Sequence, residues 1–258
     1  MARSTRPAFR QAADRIRDSI SSTEYAPGSR LPADVELADV LGFNRATIGQ
    51  AIRLLESEGL VYKHKKATYV SRITARIQSD RTGRYARARR ESGQNRGAFD
   101  AEIRALGMEP ETHATTDHVP APPRVAEILG VSAEEVSVLM RARKMYADQA
   151  PVQIATSYLP LEIVEGSAIE GADTGLGGSI SRLGEMGFKQ TEITETMIVR
   201  VPEPDEAEIL GMTEDQRVIE LTHVGRTAEG RAVEVTIHVQ PAHLWSLTYK
   251  WALDADVN

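Results

Sequence analysis

Residues 126–160, "AEILGVSAEEVSVLMRARKMYADQAPVQIATSYLP", align without gaps on residues 207–241, "AEILGMTEDQRVIELTHVGRTAEGRAVEVTIHVQP", at a constant offset of 81 positions. An internal repeat of this length restricts the architecture more than composition does. Each copy reads as a short helix, a glycine turn (Gly130, Gly211), a strand, a hairpin tip (Ala147-Asp148-Gln149, Ala228-Glu229-Gly230) and a return strand. Two such copies make an α+β domain around a mostly antiparallel sheet. Between them, Gly177-Gly178 leads into a helix expected near 179–186, and "TEITETMIV" (191–199) reads as a further strand.

The first third has a different pattern. Pro7 suits a helix start, and Phe9, Ala12, Ala13, Ile16 and Ile20 recur at helical spacing. "YAPGSRLP" (25–32) breaks the chain. A second helix carries Val35, Leu37, Ala38 and Leu41 and ends at Gly42. Asn44 is a good N-cap for a third helix, whose apolar stripe is Ile48, Ala51, Ile52 and Leu55. "LVYK" and "TYVSR" then read as a hairpin around "HKKA". Three helices with a tight turn before the third, followed by a hairpin, predict a winged helix-turn-helix. Arg45, Thr47, Gln50 and Arg53 lie away from the apolar stripe. Arg and Gln make paired hydrogen bonds to base edges in a major groove, while Asn44, Thr47 and the helix N-terminus suit a phosphate. The wing adds Lys63, Lys65 and Lys66 beside His64.

Charge divides along the same line. Residues 1–96 hold 19 Lys+Arg against 10 Asp+Glu, and the remaining residues hold 12 against 27. A basic first third invites a polyanion, and an acidic remainder does not. Residues 73–96 carry seven Arg against two acids without apolar periodicity, which predicts a flexible basic linker. The chain has no cysteine, so thiolate chemistry and cysteine zinc sites are excluded. No apolar run reaches the roughly 18 residues that span a bilayer. The Arg-rich N-terminus resembles a transit peptide, but Asp14 and Asp18 and the helix pattern that follows argue against one. A cytoplasmic protein with no cofactor and no membrane partner is expected. The six histidines are scattered, and no nucleophile elbow or phosphate loop is present, so an enzyme is not expected.

The stretch "FRQAADRIRDSISSTEYAPGSRLPADVELADVLGFNRATIGQAIRLLESEGLV" resembles the GntR family of bacterial transcriptional regulators, in its HutC-like subfamily. "FDAEIRALGMEP", "VPAPPRVAEILGVS", "SYLP" and "AEILGMTEDQRVIEL" resemble that family's UTRA effector domain, whose fold is similar to chorismate lyase. The resemblance implies a homodimer that represses by binding an inverted-repeat double-stranded DNA operator and answers to a small-molecule effector. It divides the chain into a DNA-binding domain (7–72), a linker (73–96) and an effector-binding and dimerisation domain (97–251). Arg45 and Thr47 carry over from the family pattern. Val35 and Gly49 stand where arginines are usual, and the glycine-rich wing tip is shortened to "KHKKA". An operator unlike the common family sequence is therefore expected. The other reading is a ligand-binding protein of this fold without specific DNA recognition.

On the effector side, the resemblance places Arg143 and Glu234 at positions that relatives use for sugar phosphates. Met145 and "QPAH" (240–243) replace other family positions, which points to a less polar ligand. Glu234, Thr236 and His238 alternate with Val233, Val235, Ile237 and Val239, so the polar three share one strand face. Effector-binding residues are expected to be Arg143, Glu234, Thr236 and His238.

Overall fold

A computed structural model describes residues 6–86 and 97–252. The chain forms two compact units. One holds residues 1–76 with 213–216, and the other holds 77–212 with 217–258.

The first unit contains α1 (Ala8–Ser21), α2 (Asp34–Leu41), α3 (Arg45–Ser57), β1 (Val61–His64) and β2 (Ala67–Val70). The predicted stripes are its core: Ala12, Ala13, Ile16 and Ile20 of α1 meet Ile48, Ala51, Ile52 and Leu55 of α3, with Leu37 of α2. The Asn44 side chain accepts from the Thr47 amide at 2.8 Å, which satisfies one free donor of the first turn. Strands β1 and β2 pair antiparallel from Val61↔Val70 to His64↔Ala67, leaving Lys65 and Lys66 as the tip. This is the three-helix, two-strand arrangement read from the sequence.

The second unit is built on a six-stranded antiparallel sheet. Its strands are β4 (Pro110–Pro120), β5 (Val136–Ala147), β6 (Ala150–Pro160), β7 (Glu192–Arg200), β8 (Val218–Arg226) and β9 (Ala232–Pro241), in the order β4-β5-β6-β9-β8-β7. The repeat accounts for the centre: β5–β6 and β8–β9 are the two hairpins, joined through β6 and β9. Each is preceded by a repeat helix, α5 (Pro123–Leu129) or α8 (Pro204–Leu210), closed by Gly130 and Gly211 at φ 70° and 62°. Further elements are α4 (Ala98–Ala105), α6 (Leu161–Val164), a 3₁₀ turn (Ala168–Glu170) and α7 (Gly178–Glu185). One face of the sheet is apolar: Val138 and Val235 pack with Val125, Ala126 and Leu129 of α5. No helix among the described residues is long and apolar enough to cross a membrane.

One segment departs from expectation. Residues 77–86 fall inside the stretch read as a basic linker, yet Ile77–Asp80 is a strand, β3, paired in parallel with β10 (Trp245–Thr248). The flexible-linker reading is corrected there. The reason is ionic: Ser79, Arg81 and Arg84 are buried by polar partners that an apolar pattern cannot reveal. The rest of that linker, 87–96, lies outside the described residues.

Candidate functional site

The first unit presents a polar helix face. With 100° per residue, burying Ile48, Ala51, Ile52 and Leu55 turns Gln50 and Arg53 outward. Arg45 and Thr47 occupy the first turn on the flanks of that face. Arg45, Gln50 and Arg53 are exposed, and Thr47 is half-buried. The Asn44 carbonyl oxygen is committed to its cap, so its first duty is to hold the helix start. In the wing, Lys65 and Lys66 project from the tip. Lys65 takes φ 56°, a left-handed conformation that a glycine would adopt more cheaply. Lys63 lies 3.3 Å from Glu56, so part of its charge is already answered. Val35 is 52% exposed, an apolar side chain on the surface of α2. An added Cβ at Gly49 would meet only Arg53 Nη1, at 3.9 Å, so nothing within the unit requires glycine there.

The second unit carries a cavity of about 690 Å³ over the polar face of the sheet. Strand register explains its floor. Thr116, Arg141, Ser157, Thr236, His223 and Glu195 stand opposite one another in one row across all six strands. The neighbouring positions of β5 and β9 add Arg143, Glu234 and His238 on the same face. Arg143, Glu234, Thr236 and His238, the four expected effector residues, therefore line one cavity.

Glu234 is the best-held group there. Its Oε1 accepts from Thr236 at 3.1 Å and from Ser157 and Ser179 at 3.3 Å, and its Oε2 accepts from Gln190 at 2.9 Å. Burial alone would raise its pKa. The field of His223, the Gln190 hydrogen bond and Arg143 outweigh burial and hold it below the usual carboxylate value. Arg143 donates to Ser157 at 2.5 Å, and burial pushes its pKa down to about 10. Burial, reinforced by Arg81 and Arg143, keeps His238 neutral, well below the ordinary histidine value. Arg141 is spent on structure: it donates to the carbonyls of Ile169, Gly171 (2.5 Å) and Ala172 (3.1 Å), tying down the loop before α7. Among the described residues, Arg143 Nε, His223 Nδ1, His238 Nδ1 and Gln190 Oε1 are buried without a hydrogen-bond partner.

Sequence reasoning missed Arg141, Ser157, Gln190 and His223. Arg141 and Ser157 were within reach, because Arg141 is two residues from Arg143 and Ser157 is the repeat-equivalent of His238, 81 positions away. Gln190 carried no signal. It reaches Glu234 by lying over Gly225, where a Cβ would come within 2.4 Å of its side chain.

Comparison with known proteins gives a consistent set. The UTRA domain matches residues 105–243, and the family described as bacterial regulatory proteins, gntR family, matches residues 9–70. A transcriptional regulator of the helix-turn-helix type from Streptomyces coelicolor is 32% identical over 95% of this chain and 93% of its own. The mannosyl-D-glycerate transport/metabolism system repressor MngR of Escherichia coli is 23% identical over 89% of each chain. Among solved structures, PhnF from Mycobacterium smegmatis superposes with a TM-score of 0.58 at 22% identity, covering 95% of this chain and 100% of that one, a likeness of fold.

Proposed function

This chain belongs to the gntR family of bacterial regulatory proteins and carries a UTRA domain, so it is a DNA-binding transcriptional regulator and not an enzyme; from that premise we propose how its two units divide the work. The helix α3 enters a major groove, with Arg45, Gln50 and Arg53 toward base edges and Thr47 toward a phosphate. Asn44 fixes the helix start, and Lys65 and Lys66 of the wing, with Lys63, meet the backbone beside it. The protein acts in the cytoplasm as a homodimer on an inverted repeat. Its two α3 helices reach grooves about 34 Å apart. A ligand in the cavity favours one arrangement of the dimer and releases the operator, so the protein represses until the ligand arrives.

The cavity supports a more polar ligand than Met145 and "QPAH" suggested. Its floor buries Glu234, Thr236 and His238 and half-buries Arg143 rather than exposing them to water. A small molecule with hydrogen-bond acceptors facing Arg143 Nε and His238 Nδ1 suits the unpartnered atoms.

The observation that carries this reading is the exposed Arg45–Gln50–Arg53 face on a helix whose other side is fully buried. Fluorescence anisotropy on DNA from upstream of the protein's own gene tests it, with Arg45→Ala alongside. Saturable binding that resists competitor DNA and weakens by about 1–3 kcal/mol in the variant is expected. Equal, weak binding by both proteins to any sequence would favour the ligand-binding reading without specific recognition.

A further inference from the structure

We propose that the segment 77–86, which continues directly from the DNA-binding unit, is a wall of the effector cavity latched by Glu195, and that releasing this latch is how the cavity changes DNA affinity. The inference rests on the regulatory reading above and adds the residues that carry its signal.

Three observations converge. The first is position. Arg84 and Tyr85 line the cavity over the sheet, while Arg81, Thr82 and Tyr85 line a second cavity of about 1090 Å³ on the other side. Tyr85 lines both, so the end of the segment stands between the two spaces. The second is how it is held. Its first part is paired with β10 along Ile77–Asp80, with Ile77 N to Leu244 O at 2.7 Å and Arg81 N to Thr248 O at 2.8 Å at the two ends, and its last part is held by side chains. Ser79 and Arg84 are held by Glu102, but the side chains of Arg81 and Tyr85 converge with Tyr249 on a second carboxylate, Glu195. Arg81 donates to both oxygens of Glu195, Tyr85 donates to Oε1 at 2.6 Å, and Tyr249 donates to Oε2 at 3.1 Å. The third is the connection to the floor. Glu195 is the last residue of the polar row across the sheet, and His223, the next, lies 3.7 Å from it and faces the cavity. The ring of Tyr85 lies over His223, with centroids 5.1 Å apart.

The chemistry follows from this placement. A ligand that draws His223 or displaces Tyr85 competes directly with Glu195 for its partners. The buried Glu195 carboxylate is then left with one fewer group facing its charge, which is unfavourable unless Arg81 and the segment shift with it. A shift at 77–86 reaches the DNA-binding unit through the chain itself, since residue 76 ends that unit.

The test uses the full-length protein without ligand, comparing wild type, Glu195→Gln, Tyr85→Phe and Glu111→Gln, the last an exposed carboxylate on β4. Amide hydrogen exchange reports the latch, and anisotropy on the upstream DNA reports the coupling. In Glu195→Gln, exchange across 77–86 should rise at least tenfold while β5 and β9 stay protected, and DNA affinity should fall at least fivefold. Tyr85→Phe, which keeps the ring and loses the hydroxyl, should move both in the same direction by less. Glu111→Gln should move neither. Unchanged exchange at 77–86 in both latch variants overturns the latch. Faster exchange with unchanged DNA affinity overturns the coupling. If Glu195→Gln fails to fold, Tyr85→Phe decides by the same two readouts. Failure of the wild type to bind any DNA specifically would instead count against the regulatory reading, and with it the coupling, while exchange would still judge the latch.

Discussion

Gly225 shows how much one missing methyl group can position. It stands opposite Glu234 on the neighbouring strand, and the space above it is filled by Gln190. Gly225→Ala would place a Cβ 2.4 Å from the Gln190 side chain, which is flexible and can swing away. The expected outcome is a folded protein that has lost the Gln190–Glu234 hydrogen bond, with a stability cost of about 1 kcal/mol. Thermal unfolding beside Gln190→Ala checks this: the two single variants and the double variant should have similar melting temperatures. His238 makes a second prediction at this scale. Its folded-state pKa is depressed, so below about pH 6.5 the unfolded chain takes up a proton that the folded chain refuses. Stability is retained above that pH and falls as pH drops through 6.5, by up to about 1.4 kcal/mol per unit. Glu195, depressed as well, stays ionised in this range and contributes only at more acidic pH. Melting temperatures between pH 7.5 and 5.5 should fall for wild type and fall less for His238→Gln. Parallel curves would show that His238 is not the group responsible.

Among the elements, α3 shows two demands on one helix. Its buried side is continuous, and its outer side is kept polar at a cost. Gly49 weakens a helix interior by roughly 1 kcal/mol relative to alanine. Nothing inside the unit needs it, because an added Cβ meets only the end of the Arg53 side chain. Gly49→Ala should therefore raise the unfolding free energy of the DNA-binding unit by about 1 kcal/mol, measured by denaturant titration. If the glycine serves close approach to DNA, the stabilised variant binds the operator more weakly; undiminished affinity would show that it has no such role. The hairpins show the opposite economy. Their apolar face and their cavity face come from one alternation of residues, so a single register sets both core and site.

For the whole molecule, the basic first third predicts how the protein meets DNA. Each phosphate neutralised contributes about −0.9 to the slope of log K against log salt. Arg45, Arg53, Lys65 and Lys66 are exposed, whereas Lys63 is partly answered by Glu56. With Arg45 and Arg53 on base edges, a dimer that places Lys65 and Lys66, and in part Lys63, on the backbone of each half-site should show a slope of roughly −4 to −5. Anisotropy between 50 and 300 mM salt, as an order-of-magnitude range in which counterion release is readily seen, measures it. A slope near zero would remove the phosphate contacts from the account.

Local pattern alone determined the winged helix-turn-helix, because Ile48, Ala51, Ile52 and Leu55 recur at the helical period and Asn44 and Gly42 punctuate the chain beside them. The repeat likewise determined the two central hairpins, and strand alternation put Glu234, Thr236 and His238 on one face. Tertiary structure decided what lies across from that face. Thr116, Arg141, Ser157 and His223 join the row only through strand order, and Gln190 only through the gap at Gly225. It also decided that 77–86 is ordered. Hydrophobic periodicity reports residues that are buried because they are apolar, whereas Ser79, Arg81 and Arg84 are buried because Glu102 and Glu195, distant in sequence, satisfy them.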